Sequence, residues 1–306
     1  MLRCRLPDGS ATDITGWLVS VTPREVVIEP AGQASRAIGR GEIILAKRAP
    51  AAAGGPDPRR TSPDDLERAA LTGWLADSEP LGEWTLRAGA GFTSRANSVL
   101  AVGDPGLPLT QAAEQVIGYA HEHGIAPQAQ VIVGSDVDHG LVELGWHPVH
   151  VTTEVLVCRL TTLLGDGLPD PRVELGGDLD TCWLAAFDRS RVHDADPDLV
   201  RRILAGQPPR AFASVAGPGG DGELIAIARG HVHDFWLGLM AIWTEPDHRR
   251  RGLATAMMRT LGHWAARQGA RYTYLQVAQA NHAAQQAYAR LGFAHHHSYR
   301  YLAAPI

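Results

Sequence analysis

Residues 97 to 302 carry the same order of elements twice, and this repetition constrains the fold more than any other feature of the chain. The first pass reads as a strand over 97–102, a helix over 110–123 and a strand over 130–133. A short helix then ends Leu144-Gly145-Trp146, and a last strand covers 151–158. The second pass reads as a strand over 237–243, a helix over 253–268 and a strand over 272–277. Its short helix ends Leu291-Gly292-Phe293, and its last strand covers 298–302. Glycine suits the left-handed residue that closes a helix, which explains it at both ends. The shared order points to an internal duplication; the alternative is two unrelated βαβ units.

Ahead of the repeat the chain is punctuated differently. Pro7-Asp8-Gly9-Ser10 is a turn, and 14–21, 25–29 and 43–46 read as strands. Closely spaced short strands suggest a small barrel over residues 1–50, similar to a Src-homology-3-like barrel, or else a β-meander. Residues 51–60, rich in Pro, Ala and Gly, read as a linker. Thr61-Ser62-Pro63-Asp64-Asp65 opens a helix with a capping hydroxyl, an early proline and two acids. The expected division is therefore 1–50, 51–60, a first half over 61–165 and a second over 170–306.

Apolar residues make up 45% of the 306 and charged residues 20%, enough apolar material for a core, which excludes a disordered chain. No apolar run reaches the ~18 residues of a membrane span, and the first ten residues lack a leader's apolar stretch. The formal charge of −5 argues against a nucleic-acid surface. Lys47 is the only lysine, a bias expected of a GC-rich bacterial genome. Cys4, Cys158 and Cys182 share no metal spacing, so a reducing cytoplasm is expected.

The chemically informative segment is Trp243-Thr244-Glu245-Pro246-Asp247-His248-Arg249-Arg250-Arg251-Gly252-Leu253-Ala254-Thr255. An apolar strand enters a turn, and the turn enters a helix through Gly252 and Ala254. Such a helix start offers free backbone N–H groups to an anion. Three arginines ahead of a helix oppose its dipole, and an anionic ligand reconciles the two.

The segment resembles the pyrophosphate loop of the GNAT superfamily of acyl-CoA N-acyltransferases, here Arg249, Arg250, Arg251, Gly252, Leu253, Ala254. Residues 278–293, with Asn281, Tyr288 and Gly292-Phe293, resemble that family's second signature. The resemblance covers 237–302 and extends back to about 175. It implies an α/β fold of tandem GNAT-like mixed sheets flanked by helices behind a small all-β barrel. It further implies an N-acetyltransferase that uses acetyl-CoA, needs no metal and acts on an amine acceptor the sequence does not identify. Backbone groups of Ile242, Trp243 and Thr244 would bind pantetheine, and amides from Arg250 to Thr255 would cradle the pyrophosphate beside Arg249. Asn281 would cap its helix and touch pantetheine, or only cap it. Tyr288 would protonate the leaving thiolate, or serve as a core aromatic. A non-catalytic acyl-CoA-binding regulator is the alternative.

The proton-accepting base is open. Some relatives carry a carboxylate where Gly238 falls here. Glu245 is the candidate, with Asp234 near it in sequence, and His231 and His233 flank the same region and would titrate in a useful range. His295-His296-His297 reads as an exposed strand rather than a metal site, because adjacent strand residues face opposite ways. In the first pass, Gly103-Asp104-Pro105-Gly106-Leu107-Pro108 replaces the phosphate loop with prolines and an acid, so that half is expected to have lost acyl-CoA. Arg95 and Asn97 are placed near the acceptor or in structural roles.

Overall fold

Alternating burial along short segments builds the N-terminal part of the chain. In the computed structural model, residues 31–32, 48–56, 75–76, 191–195, 220–221 and 306 lie outside the description, as does the Trp17 side chain. The chain divides into two units, Met1–Gly55 and Pro56–Ile306. The first holds β1 (Leu2–Arg5), β2 (Ala11–Ile14), β3 (Trp17–Val21), β4 (Glu25–Glu29), β5 (Arg36–Gly39) and β6 (Ile43–Ala46). They form two antiparallel sheets, ordered β2-β1-β6 and β3-β4-β5. Leu2 and Cys4 of one sheet and Val26, Ile28 and Ile38 of the other share a core. The strand expected over 14–21 is split. Gly16 lies against the Glu29–Pro30 backbone so closely that a Cβ there would collide. Of the expected linker, 51–56 lie outside the described residues, and Pro58–Arg60 form a 3-10 turn capped by Asp57.

The second unit begins with α1 (Pro63–Leu71), capped by Ser62 Oγ, which accepts from Asp65 N at 3.1 Å. Its first pass continues through β7 (Asp77–Leu81), β8 (Trp84–Ala88), β9 (Val99–Leu100), α2 (Leu109–Glu122), β10 (Gln128–Ile132), α3 (Asp136–Glu143), β11 (His147–Pro148), β12 (Thr153–Arg159) and α4 (Leu160–Leu164). The second pass comprises β13 (Glu174–Gly176), α5 (Thr181–Ser190), α6 (Pro197–Ala205), β14 (Arg210–Ala216), β15 (Leu224–His233), β16 (Trp236–Thr244), α7 (Leu253–Arg267), β17 (Tyr272–Ala278), α8 (His282–Arg290) and β18 (Ala294–Ala303). β9 is shorter than the strand expected over 97–102. Asn97 spends its side chain in the preceding turn, accepting from Gly89 N and Gly91 N and donating to Thr93 O.

All of these strands join one mixed sheet, ordered β13-β14-β15-β16-β17-β12-β18-β10-β9-β8-β7, with β11 also on β18. The order records an exchange. β12, the last strand of the first pass, pairs with β17 of the second through seven positions, Thr153↔Ala278 to Arg159↔Tyr272. β18, the last strand of the second pass, pairs with β10 of the first, Gln128↔Ala303 to Ile132↔Tyr299. β12 and β18 pair with each other at the centre. The repeat is thus closed into one sheet by reciprocal loan of terminal strands.

The two helix ends that betrayed the repeat are built alike. Gly145 and Gly292 have φ of 87° and 89°. Trp146 N donates to Leu141 O at 3.0 Å, and Phe293 N to Tyr288 O at 3.1 Å. These are the six-to-one bonds of a Schellman cap. The equivalence sets Leu141 where the second pass has Tyr288.

One face of the sheet is covered by α1, α5 and α6, with Trp183 and Phe187 fully buried and Trp74, Trp236, Met240 and Tyr274 in the same core. On the other face, α4 and α7 cover the second pass and α2 and α3 the first. Among the described residues no helix is long and apolar enough to cross a membrane.

Candidate active site

The site begins where two parallel strands part. β16 and β17 pair from Trp236↔Tyr272 to Leu239↔Leu275 and no further. β16 continues to Thr244, so beyond Leu239 its β17 side has no strand partner. A bulge falls in this stretch. Ile227 faces Trp243 and Arg229 faces Met240, leaving Ala241 and Ile242 opposite Ala228 alone. Ala241 takes φ 50°, a left-handed value rare for a residue with a side chain. Such a bulge re-aims backbone groups at the opening. Ile242, Trp243 and Thr244 therefore line one wall of the gap with backbone N–H and C=O groups.

The turn after Thr244 leads to α7. Arg250 and Gly252 both take left-handed backbone values, φ 61° and 76°. Gly252 is the N-cap, no side chain caps the helix, and no acid lies in the first turn. The first intrahelical acceptor is Gly252 O, which receives Ala256 N at 2.9 Å. The N–H groups of Gly252, Leu253, Ala254 and Thr255 precede it and have no partner within the helix. A Cβ added at Gly252 would meet nothing within 4 Å, so the approach to these amides is open. Arg249 Nε donates to Thr244 O at 3.0 Å and Arg251 to Asp247 O at 3.2 Å, which fixes the loop. Arg250 is exposed. The start of α2 is built differently: Pro108 is its N-cap, and the Asp104 and Glu83 carboxylates bond the Gly106 and Asp104 amides.

α8 brings in the other residues. Asn281 Oδ1 accepts from Ala284 N at 3.2 Å, so it is the N-cap. Tyr288 is half-buried at the margin of the core that also takes Ile242, with its ring 6.0 Å from that of Phe293. Burial pushes its phenol above the ordinary tyrosine value, so it is protonated at neutral pH. Glu245 is placed 3.7 Å from Arg189 Nε, and that guanidinium also donates to Leu224 O.

The α1 face of the gap holds residues the sequence reading missed. Gly73 and Trp74 follow α1 and lie against Met240, the Gly73 Cα so closely that a Cβ would strike the Met240 methyl. Two guanidiniums lie near the Trp74 ring, Arg95 at 5.6 Å and Arg229 at 6.0 Å from its centroid. Arg229 is fully buried and donates to Gly73 O at 2.7 Å. It also touches Gly206, so it sits at the C-terminal ends of α1 and α6, whose dipoles offset its charge. Gly238 has no room for a carboxylate, because the Tyr274 hydroxyl fills the space a Cβ would need. No signal in the sequence marked Trp74: it lies outside the resemblance, and only tertiary packing carries α1 over the opening.

Two expectations about histidines are corrected. His231 does not titrate in a useful range. It is 2% exposed, and burial beside Arg229 and His233 pushes it down to about 3. Between that value and an unfolded value near 6.5 the unfolded chain binds the extra proton, so this group's stabilisation is complete above pH ~6.5 and declines as pH falls toward 3. His231→Gln should flatten the acid limb of a urea-unfolding series, whose wild-type slope from this group is about 1.4 kcal/mol per pH unit. An unchanged slope would show that His231 titrates normally.

The second correction is that His296 and His297 do not face opposite ways. β18 bulges there, Val155 facing His297 and Leu156 facing His295. Their Nδ1 atoms lie 2.6 Å apart. His296 Nε2 lies 2.9 Å from Thr61 O, which can only accept, so Nε2 carries the proton. Burial and His297 lower the His296 pKa, so its Nδ1 is free to accept from His297 Nδ1. His297 Nε2 meets Glu67 Oε1 at 3.0 Å. Gln130 donates to Glu67 Oε2 at 2.5 Å, and Arg87 donates to Gln130 Oε1 at 2.9 Å. The chain of bonds ties α1 to the exchanged strand. Among the described residues no group of three or more His, Cys, Asp or Glu is placed to hold a metal ion.

Strands that part over a bulge, beside a helix whose first amides are open, define a GNAT-type acetyltransferase. The chain belongs to the family described as "Probable histone acetyltransferase Rv0428c C-terminal", whose model matches residues 64–302. It is 27% identical over 251 residues to the uncharacterized N-acetyltransferase YobR of Bacillus subtilis, covering 77% of this chain and 96% of that one. A GCN5-related N-acetyltransferase from Kribbella flavida shares the fold at TM-score 0.58 and 17% identity, over 79% of this chain and 95% of that one. A tandem GNAT protein from the clavulanic acid biosynthesis pathway does so at TM-score 0.52 and 14% identity, over 68% and 76%.

Proposed function

We propose that the chain is an acetyl-CoA-dependent N-acetyltransferase whose working half spans 170–306, with 61–165 a half that has lost acyl-CoA binding. The observation that carries this reading is the open N-terminus of α7 directly after the parted strand β16. Amides of Gly252 to Thr255, with the Arg250 amide and the charges of Arg249 to Arg251, hold the pyrophosphate. Backbone groups of Ile242, Trp243 and Thr244 hold the pantetheine arm as an added strand, and Asn281 closes the far side. A neutral amine attacks the thioester carbonyl, whose developing oxyanion is met by a β16 amide at the bulge. The C–N bond forms, the C–S bond breaks, Tyr288 gives its proton to the thiolate, and the amine's proton leaves to a base or water. Glu245 remains a proposal for that base only if its pairing with Arg189 opens.

The test is calorimetric titration with acetyl-CoA and with CoA. Wild type should bind both in the micromolar range. The Arg250→Glu plus Gly252→Asp variant should lose about a hundredfold or more. A charge-assisted bond is worth ~1.5–3 kcal/mol, and an L-residue in Gly252's conformation is strained by another ~1 kcal/mol. Wild type that ignores both ligands overturns the reading.

A further inference from the structure

A buried carboxylate stands beside the gap, outside every role assigned to the transfer site. Glu67, on α1, is 2% exposed. With Arg95, Gln130 and Gln276 it lines a cavity of about 10 Å³, the space of one water. Gln276 is the first residue of β17 past the last position paired with β16. The cavity therefore borders both the parting of the strands and the Glu67 carboxylate. Glu67 Oε1 meets His297, and Oε2 accepts from Gln130. A carboxylate has about four lone-pair sites, so it can still accept from a water.

Behind Glu67 the bonds run outward. His297 is buried, and its Nδ1 lies 2.6 Å from that of His296. His296 is half-buried, with Nε2 on Thr61 O. An imidazole can take a proton on one nitrogen and release one from the other. Arg87 and Arg95 feel the charge of Glu67, as do Tyr274 and Tyr299 on β17 and β18. Burial pushes both phenols up, so at neutral pH its charged or titrating neighbours are the two guanidiniums and the histidine pair. A carboxylate removed from water is costly, and an apolar side chain of similar volume would hold α1 on β18 at least as well. A titratable group kept at that cost, between a one-water cavity and a chain of bonds to the surface, has the make-up of a proton exit.

We propose that Glu67 takes the amine's proton through one water in this cavity, and that His297 and His296 pass it to solvent. The inference rests on the transferase reading above. Once the C–N bond has formed, the positively charged nitrogen gives a proton to the water, and the water gives one of its own to Glu67. The resulting acid returns its proton outward through the imidazole pair, which leaves water and carboxylate as they began. The thiolate's proton comes separately, from Tyr288. The first pass thus supplies the proton acceptor that Gly238 cannot.

Two small amines, hydroxylamine and ethylamine, serve as acceptors in the test, with thiol release from acetyl-CoA as the readout. Glu67→Gln keeps the shape of the side chain and removes its basicity. It should lower kcat about tenfold or more at neutral pH, with acetyl-CoA affinity within about twofold by calorimetry. Hydroxylamine is uncharged at neutral pH, so the fall of wild-type kcat on the acid side reports the protein's own base. Glu67→Gln should flatten that fall and regain rate as pH rises and hydroxide takes over. His296→Gln, which can still donate to Thr61 O, should move the profile the same way by a smaller factor. A crystal structure of the CoA complex should show one water bonded to Glu67 within reach of Gln276. A folded Glu67→Gln protein with wild-type rate and profile overturns the proposal, as does a dry cavity in that complex. So does a loss of rate that high pH does not recover, since Glu67 is then only a tie between α1 and β18. If Glu67→Gln does not fold, the His296→Gln profile and the water decide; if neither amine is used, the water decides. Wild type that ignores acetyl-CoA sinks the transferase reading itself, whereas acetylation undiminished in Glu67→Gln sinks the relay alone.

Discussion

Tyr288→Phe should slow acetyl transfer by about a hundredfold or more, the usual worth of a positioned general acid, while acetyl-CoA affinity stays within about twofold. The substitution deletes one hydroxyl and keeps the ring that packs by Phe293 at the edge of the core. The loss therefore falls on kcat. Burial raises the phenol above the ordinary tyrosine value, so wild-type activity should not fall on that account at or near neutral pH. A purely structural tyrosine would give the opposite split, with a lowered melting temperature and kcat intact. Leu141 occupies the equivalent place in the first pass and offers no proton, consistent with the closed start of α2.

Restoring a carboxylate at position 238 should be ruinous. Gly238→Glu is expected to cost several kcal/mol, enough to abolish folding at 37 °C, as read by circular dichroism and yield. The Tyr274 hydroxyl and ring lie where the new Cβ must go, with the Met240 methyl 3.0 Å away. Tyr274 is fully enclosed and has nowhere to retreat. Overpacking alone costs about 1–3 kcal/mol, and an unpaired carboxylate in this interior adds desolvation. Gly238→Ala should show the steric part by itself, and Tyr274→Leu in the same chain should recover most of it. A well-folded Gly238→Glu protein with raised turnover would show that the site has room for the base some relatives use. Glycine here is thus a packing requirement of Tyr274, and the proton acceptor must be sought elsewhere.

Much of the frame was legible in the order of residues. Short-range chemistry wrote it: the glycines after α3 and α8 close their helices by local hydrogen bonds, Ser62 and Asn281 cap theirs, and Arg249 to Thr255 sit in one turn. Each of these depends on neighbours within about seven residues, so the spacing alone revealed them. Expectations failed where distant strands decide. The bulge that sets His296 against His297 exists because β18 pairs with β12, a strand more than a hundred residues earlier. His231 was read as a titrating group because the sequence does not announce that the fold will bury it beside Arg229 and His233.

The sequence by itself determined a duplicated α/β chain with one glycine-bearing, arginine-flanked loop ahead of a helix. Periodicity, capping and glycine placement are local and survive without the fold. Tertiary structure alone decided that the two passes exchange β12 and β18 into a single sheet. It alone carried the end of α1, Gly73-Trp74, against Met240 of the second pass. The physical reason is that strand pairing and apolar burial join segments by complementarity across long chain separations. A helix end such as Gly73-Trp74 acquires its chemical meaning only from what it is packed against.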